Sequence, residues 1–306
     1  VNTIKYFAKL FIKPKAFFQH QSIKGKKIYH QLMKCVFFFE YNSRKKFLNN
    51  LSQSNLGEIS KDFGYLNLDF THDNTLVNAK TRGQELIKEI DFKKLKETSE
   101  KKYLISTQVD ILDPKNAALR EFAMNKNLVK LVGDYIGFTP VLENVMMWYS
   151  PNENNEGMSS QYYHLDAQDL NTMQVFLYLT DVDEQSGPLT LIQAKWSTEI
   201  INQLKYKKNS KFKRIDDEMV FSIAPRGAEV KLLGSAGSVF IADTDTCLHY
   251  GSRKGTKERY LIVFQYYTPF AFPLPFKWRT GLPFYKKALS KQNELTEIER
   301  FVLGVN

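Results

Sequence analysis

Four residues of this chain have the types and spacing of a metal centre with an anion clamp: His164, Asp166, His249 and Arg259. They sit in Tyr162-Tyr163-His164-Leu165-Asp166 and Leu248-His249-Tyr250-Gly251-Ser252, with Arg259 opening the apolar run Tyr260-Leu261-Ile262-Val263-Phe264. Two neutral imidazoles and one carboxylate on a single face of a metal leave the opposite positions open. That ligand set suits non-haem Fe(II), whose open positions take a co-substrate and dioxygen. The chain holds 5 histidines, His20, His30, His72, His164 and His249, and two of them fall in this arrangement. A lone His-x-Asp is more often a hydrogen-bonded pair; the distal histidine and its downstream arginine favour the metal reading.

The spacing dictates what must carry these residues. On an extended strand, residues i and i+2 point to the same side, so His164 and Asp166 can reach one ion. His249 must then come from another strand that returns beside the first, which a closed or double-sheet β-fold provides. Arg259 follows the polar turn Ser252-Arg253-Lys254-Gly255-Thr256-Lys257. A turn there can place the arginine near the metal, where its fork clamps a carboxylate better than lysine would. In 172–179 one strand face reads Thr172, Gln174, Phe176, Tyr178 and the other Met173, Val175, Leu177, Leu179. The aliphatic face suits packing under helices, the mixed face a barrel interior. Gln174 is therefore a candidate for the wall of a co-substrate pocket, as is Tyr149 at the end of the preceding strand. Ordinary interior hydrogen bonding is the plainer reading of both.

These motifs resemble the phytanoyl-CoA dioxygenase family of Fe(II)/2-oxoglutarate-dependent oxygenases, over roughly residues 139–269. The likeness is densest in Gln161 to Asp166, in Val175 to Asp183 with Ser186-Gly187-Pro188-Leu189-Thr190, and in His249 to Ser252 through Arg259 to Tyr267. It implies iron ligands at His164, Asp166 and His249. It further implies that Arg259, helped by Ser252, holds the distal carboxylate of 2-oxoglutarate, and that Gln161 supports that co-substrate. The chain departs from the family at Gln193-Ala194-Lys195-Trp196, where a Pro-Gly-Ser-His turn is usual, and at Tyr163, where tryptophan is frequent. Asp166 bears on reaction type, because halogenating relatives replace this acid with a small residue. The resemblance thus implies hydroxylation, with 2-oxoglutarate and dioxygen consumed and succinate and carbon dioxide released.

Composition bounds the remainder. A chain of 306 residues with 43% hydrophobic content can build a β-core with helical additions. No apolar run reaches the eighteen or so residues of a membrane span, and lysines interrupt the early apolar runs, against a cleavable signal. Cys35 and Cys247 offer no disulfide framework and fit a reducing, cytoplasmic compartment. Residues 1–50 hold 11 Lys or Arg against the single acid Glu40, 11 − 1 = +10, the whole net charge; residues 51–306 balance at 32 against 32. In a helix, Lys5, Lys9 and Lys13 share one face opposite Ile4, Phe7, Leu10 and Phe11, with Tyr6 and Ile12 at the margins, until Pro14 ends it. A second apolar cluster follows at Cys35-Val36-Phe37-Phe38-Phe39. One reading is a basic amphipathic segment, residues 1–50, peripheral at an anionic membrane surface or near an anionic substrate. The plainer one is a helix packed on the core with its lysines in water. No nucleic-acid partner is expected, since no reader motif accompanies the charge.

The pattern predicts a helical extension over 1–60 packed on an oxygenase domain over 61–306. Within the latter it predicts a short strand at Gly64 to Phe70, a capped helix at Asp73 to Glu89, a strand at Lys102 to Ile111 and helices from Ala117 to Ile136 ended by Gly137. Strands then follow at roughly 140–149, 160–166, 172–180, 188–192, 228–233, 237–242, 246–250 and 259–268, with a helix inserted from Trp196 to Lys208. Helices first and short strands after argue for a mainly β core, a double-stranded β-helix or jelly roll wrapped by α-helices. The loop Pro151 to Gly157 is a candidate to cover a small-molecule substrate, and the Phe- and Pro-rich tail from Pro269 is one either to pack against the N-terminal helices or to form part of a lid. Two other classes compete: a metal-binding jelly roll of isomerase or lyase type that dispenses with 2-oxoglutarate, and a membrane-associated binding protein. Arg259 opposes the first and the intact triad the second.

Overall fold

The computed structural model describes residues 23–70, 73–153, 159–166, 170–205, 214–270 and 283–306. The Lys5-Lys9-Lys13 segment, most of the Pro151 to Gly157 loop and the tail over 271–282 lie outside the described residues. The helices are α1 (Ile23–Val36), α2 (Phe38–Asn50), α3 (Asn74–Glu89), α4 (Phe92–Thr98), α5 (Ala117–Ala123), α6 (Lys126–Ile136), α7 (Ala194–Gln203), α8 (Asp217–Phe221), α9 (Tyr285–Ser290) and α10 (Glu297–Leu303). The strands are β1 (Tyr65–Leu68), β2 (Ile105–Gln108), β3 (Val141–Ser150), β4 (Met173–Tyr178), β5 (Thr190–Ile192), β6 (Glu229–Lys231), β7 (Val239–Asp243), β8 (His249–Tyr250) and β9 (Arg259–Tyr267). No described helix is long and apolar enough to cross a membrane.

Strand order identifies the architecture. The larger sheet runs β1-β7-β4-β9-β3-β2 and the smaller β6-β5-β8, with antiparallel pairing throughout. A bridge between His164 and His249 adds the segment around His164 to the free side of β8. From β3 onward the chain passes from the larger sheet to the smaller at His164, back at β4, over again at β5 and β6, back at β7, over at β8 and back at β9. The interleaved orders β3-β9-β4-β7 and His164-β8-β5-β6 are those of a jelly roll, as the pattern predicts. Strands β1 and β2 extend the larger sheet at its two edges.

The alternation in β4 decides which face meets which partner. Met173, Val175 and Leu177 join Leu86, Leu128, Val132, Ile262 and Phe264 in the core between the larger sheet and its helices. Phe176 and Tyr178 point the other way, packing with Leu191, Phe240, Leu261 and Val263 between the sheets. Helix α3 starts on an Asp73 cap that accepts from the Thr75 amide at 2.8 Å. It buries Ala79, Gly83 and Leu86 against the sheet. Gly83 lets it lie close: a Cβ there would come within 2.5 Å of a Leu179 methyl and 3.0 Å of one from Ile262. Helix α6 is capped by Asn125 and ends on Gly137, whose φ of 95° suits glycine.

Several strand expectations contract, three of them most. The stretch 160–166 is a short 3-10 turn followed by single bridges from Tyr163 to Ile215 and from His164 to His249. Extended backbone survives there with one rung on each side, and that is enough to keep the i, i+2 geometry. Over 246–250 only His249 and Tyr250 are strand, because the amides of Thr246 and Cys247 turn back onto the Asp243 carbonyl. Over Lys102 to Ile111 the strand covers Ile105–Gln108 alone.

At the N-terminal side, α2 is bolted to the body by Arg44, which is fully buried. Its guanidinium donates to the Thr139 and Phe301 carbonyls, to Asn306 Oδ1 at 2.8 Å and to Glu40 Oε1 at 3.0 Å. Met33 of α1 packs with Phe138 and Phe270, so the first described residues of the C-terminal tail do meet the N-terminal helices.

Candidate metal centre

His164 and Asp166 lie on the extended stretch and His249 opens β8, whose backbone pairs with His164 in both directions at 3.0 Å. The cross-sheet bridge brings the two imidazoles together, with ring centroids 4.4 Å apart. Each ring places Nδ1 2.9 Å from a carbonyl two residues earlier, Tyr162 for His164 and Cys247 for His249. A carbonyl can only accept, so Nδ1 carries the proton and Nε2 keeps its lone pair, the arrangement that orients histidine for a metal. Asp166 Oδ1 lies 4.0 Å from His164 Nε2 and 3.7 Å from His249 Nε2. Ligand atoms from all three lie within 4.8 Å of one another, a spacing that one ion can bridge. Burial, then the neighbouring His249, push the His164 pKa down, so its ring stays neutral and able to ligate.

Gln174 is drawn to this cluster. Its Nε2 donates to Asp166 Oδ2 at 2.7 Å, which leaves Oδ1 facing the two imidazoles. Behind the cluster, Asp245 accepts from Thr172 Oγ1 at 2.6 Å and the Thr244 carbonyl accepts from the Asp166 amide. Burial raises the Asp245 pKa, opposed by the nearby Lys26 ammonium of α1. Tyr163 faces the smaller sheet, where its hydroxyl donates to Glu229 and its ring meets Tyr250 edge-on.

Arg259 is 3% exposed and opens β9 opposite Ser150. Its Nη1 donates to the Gly187 carbonyl at 2.6 Å, and its Nη2 to Ser252 Oγ at 3.0 Å and Ser150 Oγ at 3.2 Å. Its Nε is buried with no partner, and every partner that the head does have is neutral. Burial lowers its pKa, but guanidinium stays charged, so a cation sits in the interior without a counter-ion among the described residues. Such a group is a standing invitation to an anion.

The turns around it hold Ser252 and Gly187 against the guanidinium. Ser252 adopts φ 57°, a left-handed conformation costly for serine, and is fixed by its amide on the Gly187 carbonyl and by Gln161 Nε2 donating to its own carbonyl at 2.7 Å. Gly187, with φ 58°, brings its carbonyl to Arg259 in the close space beside Ser252 and Asn152. Buried Asn152 ties the Ser186 and Lys257 carbonyls at 2.7 and 2.6 Å.

One cavity of about 190 Å³ joins these parts. His164, Asp166, Gln174, His249, Ser252 and Arg259 all line it, with Trp148, Phe176, Leu261 and Gln265 as walls and Lys101 and Leu104 among its remaining lining. Two of the sequence candidates stand elsewhere. Gln161 is outside the lining and braces Ser252 from behind. Tyr149 is on the opposite face of β3, stacked on Tyr260 at 4.5 Å against Phe92 and hydrogen-bonded to Glu258. Period-two alternation explains this: Trp148 lines the cavity and Ser150, two residues on, meets Arg259, so Tyr149 between them turns to the other face. Ser150 and Asn152 escaped sequence reasoning because their meaning depends on the β3–β9 register, although the serine directly opposite a strand-opening arginine follows once that register is known.

No protein-family model and no curated protein matches the chain, so the resemblance to phytanoyl-CoA dioxygenases rests on its motif residues. Among solved structures the chain is similar to EctD from S. alaskensis with bound Fe, at 15% identity and a TM-score of 0.49, over 72% of this chain and 80% of that one. It is similar to AviO1 from Streptomyces viridochromogenes at 15% identity and a TM-score of 0.45, over 70% and 93% of the two chains. HygX from Streptomyces hygroscopicus, solved with nickel and 2-oxoglutarate, is similar at 14% identity and a TM-score of 0.43, over 69% and 88%.

Proposed function

We propose that this chain is a non-haem Fe(II)/2-oxoglutarate-dependent dioxygenase that hydroxylates a small molecule, or a lipid- or sugar-linked one, with release of succinate and carbon dioxide. The observation that carries the reading is the shared cavity: three converging ligand atoms and a buried arginine with no counter-ion among the described residues line the same space. Fe(II) suits the donor set, because both Nε2 lone pairs and Asp166 Oδ1 face one point with their outer atoms already engaged. When bound there, the iron would supply activation of dioxygen coupled to oxidative decarboxylation of the 2-oxo acid.

The chain's own residues have the following parts in this reading. Arg259 and Ser252 hold the distal carboxylate of 2-oxoglutarate, which answers the orphaned Nε and the lack of a counter-charge. Gln161 braces Ser252, and Gln174 holds Asp166 so that one carboxylate oxygen faces the metal. Trp148, Phe176 and Leu261 keep the cavity walls apolar, which limits water around the reacting atoms. Asp166, a carboxylate where halogenating relatives carry a small residue, supports hydroxylation as the outcome. The likeness of the motifs to the phytanoyl-CoA dioxygenase family supports the same class.

The test is formation of succinate from 2-oxoglutarate by the purified protein with Fe(II) in air. Succinate that requires iron, disappears in His164→Ala and demands more 2-oxoglutarate in Arg259→Ala is the expected result. A folded, iron-loaded protein that leaves 2-oxoglutarate intact across a broad substrate screen would promote the isomerase- or lyase-type metal jelly roll instead.

A further inference from the structure

Helix α1 is packed with its polarity reversed. Lys26 and His30 are buried while Ile28, Leu32 and Val36, at i, i+4, i+8, are each 56% to 61% exposed. Phe38 and Phe39 continue the ridge at the start of α2, at 56% and 88%. An amphipathic helix on a soluble core normally turns such residues inward. Here the inward places are taken by Met33 against Phe138 and Phe270 and by the two polar side chains. A contiguous exposed apolar ridge of this kind marks an interaction surface.

Charge identifies the partner. Lys24 and Lys27 are exposed on the same stretch of α1, and Lys45 and Lys46 are exposed on α2. Residues 1–50 carry the entire net charge of the chain, +10. Apolar side chains rimmed by lysines match an anionic lipid surface, where the apolar groups enter the acyl boundary and the ammonium groups meet the headgroups. A second copy of this chain would bring like charges together at the rim.

We infer that the ridge Ile28–Leu32–Val36–Phe39 with its flanking lysines is an interfacial anchor that seats the protein on an anionic bilayer. This goes beyond the proposed chemistry, which stands or falls separately at the metal centre.

The experiment is co-sedimentation of the full chain with vesicles of phosphatidylcholine alone and of phosphatidylcholine with phosphatidylglycerol. Binding to the anionic vesicles, weakened by salt, is expected. It should fall about tenfold or more in the double variant Leu32→Glu, Phe39→Glu, in keeping with the loss of inserted apolar area. Both positions are exposed, and an unchanged circular dichroism spectrum verifies folding. Hydrogen exchange on the unaltered protein supplies an independent reading, with slowed exchange over residues 28–39 on anionic vesicles. Three results overturn the anchor: no binding to anionic vesicles, binding that the double variant leaves unchanged, or a dimer by light scattering that Phe39→Glu dissociates.

Discussion

At the scale of single residues, the centre depends on how each ligand is held as much as on which ligands are present. Gln174 gives Asp166 its orientation through one hydrogen bond of 2.7 Å. Gln174→Leu removes that bond while keeping a side chain of similar size, and is expected to weaken Fe(II) binding by about 10- to 100-fold, as loss of an outer partner typically does. Isothermal titration of the apo-protein under argon measures it; unchanged affinity would remove Gln174 from the centre. His164 makes a second residue-scale prediction. Its pKa is lowered by burial and by His249 from the ordinary 6.5. Below that value the unfolded chain takes up a proton that the folded ring resists, so this group's share of stability is present above pH 6.5 and is lost as pH falls toward the folded pKa. The metal-free protein should therefore lose stability on acidification more steeply than His164→Gln does, a difference that urea midpoints across the acid range would show. Parallel profiles would contradict it. The meeting of His164, Asp166, His249 and Arg259 at one cavity could be anticipated from sequence because an i, i+2 pair and a strand-opening arginine carry their geometry locally. Tyr149 could not, because its side of β3 depends on where the strand starts its alternation.

At the scale of elements, β4 was legible because its two faces differ in chemistry, so parity alone assigns Met173, Val175 and Leu177 to the helices and Gln174 and Phe176 to the cavity. The capped start of α3 at Asp73 and the Gly137 stop of α6 were legible for a similar reason, since caps are local events. The strand around His164 was overestimated because its pairing is decided by distant partners, Ile215 and His249, that offer one rung each. What sequence patterning omits is the closeness of elements. Gly83 permits α3 to touch Leu179 and Ile262, and Gly83→Val would force them apart. The expected cost is about 1–3 kcal/mol of stability, the usual range for overpacking. Chemical denaturation tests it, and an unchanged or raised midpoint would show that the helix can shift freely over the sheet.

At the scale of the whole molecule, Arg44 joins the first helices to the last. It contacts the carbonyl that precedes β3 by two residues, the end of α10 and Asn306, so residues far apart in sequence meet at one buried cation. Arg44→Ala leaves those acceptors unanswered in the interior and is expected to cost about 3–5 kcal/mol, seen as a lowered thermal midpoint. A shift within error would mean that α2 is a detachable appendage. This link was illegible in the sequence, where Arg44 is one more charge in a basic stretch. The jelly roll as a whole serves one end: it brings β8 beside the His164 segment and β9 beside β3, so that triad and arginine open onto one cavity. That convergence is the central claim, and an anaerobic titration with Fe(II) and then 2-oxoglutarate tests it most directly. A weak visible charge-transfer band that needs both partners, is absent in His164→Ala and is reached only at higher 2-oxoglutarate in Arg259→Ala is the predicted result. A folded, iron-loaded protein without the band would contradict it.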